Sequence, residues 1–171
     1  HWARMYRDGT GVNQNFREAL HWFEESGRND NAIALIELGD MFRDGLGIEE
    51  DLSQAIDCYI AAANLGDSFA PVRLADLYLY NEEVRNHAEA FKMYQIAADR
   101  GDSYGFSGLG HMYNNGCYVE ENYYKAVELY GKALELDENN CRALKDLAFC
   151  YKCGDGVRKD YSKRSEERRV G

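Results

Sequence analysis

The sequence predicts an all-α fold: an α-solenoid of stacked antiparallel helix pairs, about five repeats long, with the end copies truncated. Three observations predict it. Two short residue blocks recur together, the second of them at steps of 36, 35 and 36 residues, a period typical of helical-repeat proteins. A glycine-bearing piece recurs between the blocks. The composition, 16 Gly against a single Pro, suits closely packed helices and sharp turns. Proline is excluded from helix interiors, whereas glycine permits close approach and left-handed backbone.

The first block reads Leu38-Gly39 with Phe42, Leu74-Ala75 with Tyr78, Leu109-Gly110 with Tyr113, and Leu147-Ala148 with Tyr151. A cut copy opens the chain as Trp2-Ala3 with Tyr6. Leu and an aromatic four residues later share one helix face, and the small residue between them lets a second helix approach. The second block reads Ala19-Leu20-His21-Trp22-Phe23, then Ala55 to Tyr59, Ala90 to Tyr94 and Ala126 to Tyr130. It marks the buried face of a second helix, continued by small pairs such as Ala62-Ala63 and Ala97-Ala98. The linking piece reads Gly9-Thr10-Gly11-Val12, Gly45-Leu46-Gly47-Ile48 and Gly154-Asp155-Gly156-Val157. Its first Gly closes a helix, and its apolar residue pins the loop. The fourth copy loses the second Gly to Tyr118, and the third, Tyr80 to Val84, has none and one residue fewer before Ala90. Asn81 can take the left-handed conformation there, and a distorted turn rather than a break is expected.

The repeats are placed at about 1–30, 31–66, 67–101, 102–140 and 141–163. Residues 164–171 stop following the pattern where a helix is due. They resemble the in-frame translation of a sequencing-adapter oligonucleotide and are read as a non-native tail.

The remaining composition excludes several classes. A formal charge of −10 argues against nucleic acid as main partner, since phosphate binding needs a basic footprint. No stretch approaches the roughly 20 apolar residues of a membrane span, so no membrane insertion is expected. Five irregularly spaced cysteines fit reduced thiols and favour a cytoplasmic setting, with a Cys117–Cys153 pairing left open. The Gly-x-Gly turns lack the preceding strand and third Gly of a phosphate cradle. Cys150-x-x-Cys153 has half-site spacing for zinc but no second pair. No catalytic residue, metal site or cofactor is expected, and hence no enzyme.

Gly-x-Gly-Val/Ile followed by a helix of the form Ala-x-x-x-aromatic resembles the Sel-one-like repeat family, relatives of the tetratricopeptide repeats, from about Trp2 to Lys163. Around Lys132 to Leu147 the sequence is closer to a tetratricopeptide repeat, but the 35–36-residue step favours the first label. The resemblance implies a right-handed superhelix whose first helices line the concave side, and a non-catalytic adaptor that binds a protein or peptide. The alternative is a regulatory or spacer region of a larger enzyme or signalling protein. Positions just after the small residue and just after the aromatic are then expected to face the groove: Arg4 and Arg7, Asp40 and Arg43, Asp76 and Leu79, His111 and Asn114, Phe149 and Lys152. Tyr104 and Lys145 lie further back on the same helices. Phe69 and Val72 do too, where packing against the preceding repeat is the plainer reading. The oligomeric state is left open.

Overall fold

A computed structural model describes residues 2–156. Among them are nine α-helices and no strand: α1 (Trp2–Asp8), α2 (Phe16–Arg28), α3 (Ala32–Asp44), α4 (Leu52–Asn64), α5 (Ala70–Tyr80), α6 (His87–Asp99), α7 (Ser103–Asn115), α8 (Tyr123–Leu136) and α9 (Cys141–Cys153). Each helix packs on the next in sequence. The α3, α5, α7 and α9 backbones also touch in succession, whereas no even-numbered helix touches the next even one. The odd helices therefore form the inner row of the stack. The tail at 164–171 and the end of the fifth repeat lie outside the described residues.

Helix starts are fixed by Asx side chains. Asn15, Asp51, Asn86 and Asn122 cap α2, α4, α6 and α8, each accepting from a backbone N–H two or three residues on. Asn31, Asp102 and Asn140 do the same for α3, α7 and α9. Asp67 accepts from Phe69 and Ala70 N–H before α5, and the lone proline, Pro71, sits in that first turn. Such caps satisfy amide donors that have no partner inside the helix, and each contributes about 1 kcal/mol.

One bond closes every described inner-to-outer turn. The N–H of the capping Asx donates to the carbonyl of the preceding helix's aromatic: Asn15 to Tyr6, Asp51 to Phe42, Asn86 to Tyr78 and Asn122 to Tyr113. The glycine turn varies around this fixed bond. Gly45 closes α3 in the left-handed region at φ 64°. In the glycine-less third copy, Asn81 is extended at φ −84° rather than in the left-handed conformation open to it. With one residue fewer to span, the chain leaves α5 directly and needs no reversal at Asn81. In the fourth copy Tyr118 takes the place of a glycine at φ 69°, and its ring lies 5.6 Å from that of Phe91.

The second-block aromatics form the centre of the packing. Tyr59, Tyr94 and Tyr130 are fully buried. A methyl at Gly39 would stand 2.7 Å from the Tyr59 ring, and one at Gly110 would stand 2.6 Å from that of Tyr130. These distances explain the small residue after Leu: the tyrosine of the outer helix fills that space. In the third repeat the position is Ala75, and the Tyr94 ring lies instead against Gly108 of α7.

Candidate protein-binding face

The inner row carries a ladder of charged contacts that follows the repeat register. The residue two places after Leu in one repeat meets the residue one place before Leu in the next. Arg4 donates to Glu37 at 2.8 Å, and Arg7 joins the same carboxylate. Asp40 pairs with Arg73 at 3.3 Å and with Arg43 of its own helix at 3.0 Å. His111 Nδ1 lies 3.3 Å from Asp146. The third rung differs, because the residue before Leu109 is Gly108, which offers no side chain. Asp76 is reached instead by Arg142 from the start of α9, whose Nη2 contacts both carboxylate oxygens at 2.8 and 2.9 Å. The Arg142 guanidinium lies 5.8 Å from the centre of the Tyr94 ring.

Two rungs also anchor the buried tyrosines. Tyr59 donates its hydroxyl to Asp40 at 2.7 Å, and Tyr94 donates to Asp76. Burial, reinforced by these carboxylates, holds both phenols far above the ordinary tyrosine range, so they remain donors. In the fourth repeat His111 stands where Asp40 and Asp76 stand in theirs. Tyr130 is raised in the same way by burial and nearby Asp146. Its hydroxyl is sealed from water and makes no hydrogen bond of normal geometry among the described residues.

Beyond the Arg142–Asp76 contact the inner face opens. A cleft of about 400 Å³ lies between α7 and α9, lined by His111, Asn114, Asn115, Lys145, Asp146, Ala148, Phe149 and Lys152. Phe149 is 56% exposed. Tyr80 borders His111 with ring centres 6.0 Å apart. Asn114 is held from behind by Cys150, whose buried thiol donates to its Oδ1 at 3.4 Å.

The Sel1 repeat family matches residues 1–31, 32–67, 71–102, 107–138 and 141–163. The chain belongs to the Sel1 repeat family. A Sel1 repeat protein from Oxalobacter formigenes is similar in structure, with TM-score 0.80 and 28% identity over 95% of this chain. So is a protective antigen present in uropathogenic Escherichia coli strains that displays an SLR fold, with TM-score 0.79 and 27% identity over 94% of this chain. The present chain spans 66% and 34% of the lengths of those two proteins. No curated protein matches the chain in sequence.

Within these Sel1 repeats the twelve residues expected at the groove separate into two groups of five and two single residues. Arg4, Arg7, Asp40, Arg43 and Asp76 lie on the inner row but are engaged in the ladder. Leu79 is buried, at 6% exposed, in the core around Tyr94 and does not line the surface. It falls at the seam between inner and outer helices, where the register rule for the groove no longer holds. Tyr104 is half-buried, its ring edge-on to Phe69 at 6.0 Å. The other five, His111, Asn114, Lys145, Phe149 and Lys152, come together in the one cleft. Of the two flagged for packing, Val72 is buried and Phe69 carries the Arg73 guanidinium 5.0 Å from its ring centre.

The sequence reading did not name the answering half of the ladder, Glu37, Arg73, Asp146 and Arg142. The first three share one register position, directly before Leu, and that recurrence was the available signal. Arg142 has no such signal, because it reaches across a whole repeat. Cys58, Cys117, Cys141, Cys150 and Cys153 are all free thiols. Among the described residues no group of three His, Cys, Asp or Glu side chains could hold a metal ion. No helix among them is long and apolar enough to cross a membrane.

Proposed function

We propose that this chain is a non-catalytic scaffold that holds a peptide segment of a partner protein on its inner face, in the cleft between α7 and α9. Sel1 repeats generally mediate protein–protein interaction and are generally non-catalytic. The observation that carries the finer reading is the change of character along the inner row. Through the first repeats its charged groups satisfy one another. At the cleft an exposed aromatic and two lysines stand open around about 400 Å³, beside the Asn114 and Asn115 side chains. Exposed aromatics ringed by polar groups are the usual anchors of protein interfaces.

Selection of peptides from a random displayed library on the intact chain tests this reading. Peptides are expected to be enriched, and alanine at His111, Phe149 and Lys152 together is expected to weaken their binding at least about tenfold, a loss near 1.4 kcal/mol. Alanine at Arg4, on the far side of the Arg142 contact, should leave binding unchanged. If no peptide is enriched, or if the triple variant binds as the parent does, the inner-face assignment is wrong.

A further inference from the structure

Within that cleft, we propose that the Lys145–Phe149–Lys152 stripe of α9 recognises an acidic segment of the partner, with an apolar residue lying between two side-chain carboxylates. This rests on the scaffold reading and adds the chemistry of its ligand.

Residues 145, 149 and 152 are spaced four and three apart on one helix, so their side chains share a face. All three are exposed and line the cleft. The other described lysines are each committed within their own helix: Lys92 to Glu89 at 3.6 Å, Lys125 to Glu128 at 3.2 Å and Lys132 to Glu128 at 2.8 Å. Lys145 and Lys152 pair with no carboxylate among the described residues. On a chain of formal charge −10, two unneutralised cations flanking an exposed phenylalanine run against the prevailing charge. The one carboxylate lining the cleft, Asp146, faces His111. The opposite wall offers the Asn114 amide N–H groups and the second N–H of Asn115, whose first donates to the His111 carbonyl at 2.8 Å.

The geometry also limits the spacing of the ligand. Seven residues of helix separate Lys145 from Lys152 by about 10 Å along the axis. An extended peptide alternates its side chains, so residues i, i+2 and i+4 share one face and the outer two stand about 14 Å apart. Splayed lysine side chains widen the helix spacing, so two acidic side chains four positions apart reach both ammonium groups, and an apolar residue midway between them settles on Phe149. A basic peptide would bring like charges together, and like-charge contacts at an interface are a strong discriminator.

The test is fluorescence anisotropy on the full chain at low salt, with a labelled peptide containing Glu-Ser-Leu-Ser-Glu. Both peptide ends are blocked, so that side-chain carboxylates are its only anionic groups. Saturable binding is expected, weakened at least about tenfold in K145E/K152E and in F149A and unchanged in R43A. A peptide with Lys in place of both Glu should fail on the parent chain and bind K145E/K152E. All four substitutions are at surface or ladder positions, and circular dichroism confirms that each variant is folded. The proposal is overturned if the parent shows no saturable binding, if acidic and basic peptides bind it alike, or if K145E/K152E keeps its affinity for the acidic one. It is likewise overturned if a single-stranded oligonucleotide of equal charge competes as well as the unlabelled acidic peptide, or if a second copy of the chain fills the cleft. Neutral or basic peptides enriched in the library selection and lost on cleft substitution would leave the scaffold reading standing and sink this inference alone.

Discussion

At the scale of single residues, the three buried tyrosines form an experiment already arranged by the repeat. Each carries its hydroxyl into the seam between inner and outer helices, where an unmade hydrogen bond costs more than a made one contributes. Tyr59 and Tyr94 hydrogen-bond a carboxylate there, whereas Tyr130, with Asp146 nearby, makes no hydrogen bond of normal geometry. Replacement of Tyr59 or Tyr94 by Phe is expected to lower stability by about 1.5–3 kcal/mol, since each bond is made to a charged acceptor. Tyr130→Phe should cost less than either, because the buried polar atom it removes makes no hydrogen bond of normal geometry. Urea unfolding of the three variants measures the difference, and equal losses would contradict the assignment of partners. Part of this was legible in the sequence. The tyrosines were readable as the buried face of the second helix, and Asp40 and Asp76 as inner-row residues. That the two meet depends on how far one helix leans over the next, and a periodic pattern does not encode that. The same limit misplaced Leu79, which sits where the inner face curves into the seam.

At the scale of elements, the turns and caps show what the repeat conserves and what it varies. The helix pairs were legible because their apolar spacing recurs in register. The Asx caps recur just as regularly, at 15, 51, 86 and 122 and at 31, 67, 102 and 140, and comparison of apolar blocks alone passes over them. Asp102 is the informative member of the second series. Burial raises its carboxyl above the ordinary carboxylate range, although the amides of Tyr104 and Gly105 and the Ser68 hydroxyl pull it down. The folded chain therefore keeps that proton to a higher pH than the unfolded chain does. The charged carboxylate subtracts stability above the raised pKa, and the subtraction fades as pH falls toward the unfolded value of about 3.9. Asn31 and Asn140 perform the same capping without a charge. Asp102→Asn should thus be at least as stable as the parent at pH 7, with an advantage that shrinks on acidification. Asp102→Ala should lose about 1 kcal/mol with the cap. Thermal unfolding across the pH range checks both, and an advantage for Asn that grows toward acid would refute the stated cause.

At the scale of the whole molecule, the Arg142–Asp76 contact matters most. It links α5 to α9 across α7, where Gly108 offers no side chain to take the rung. A cycle of Arg142→Ala, Asp76→Asn and the double variant is expected to give a coupling of about 1–3 kcal/mol, read from denaturant midpoints. Additive losses would mean the pair contributes no more than its separate parts. Solenoids are usually treated as a one-dimensional chain in which each unit senses only the units on either side. A bridge from the third pair to the fifth adds coupling at second-neighbour range. Fraying that begins at α9 therefore reaches α5 without first melting α7. Amide exchange along α5 should quicken when Arg142 is removed, in a helix whose backbone never touches the one that was changed.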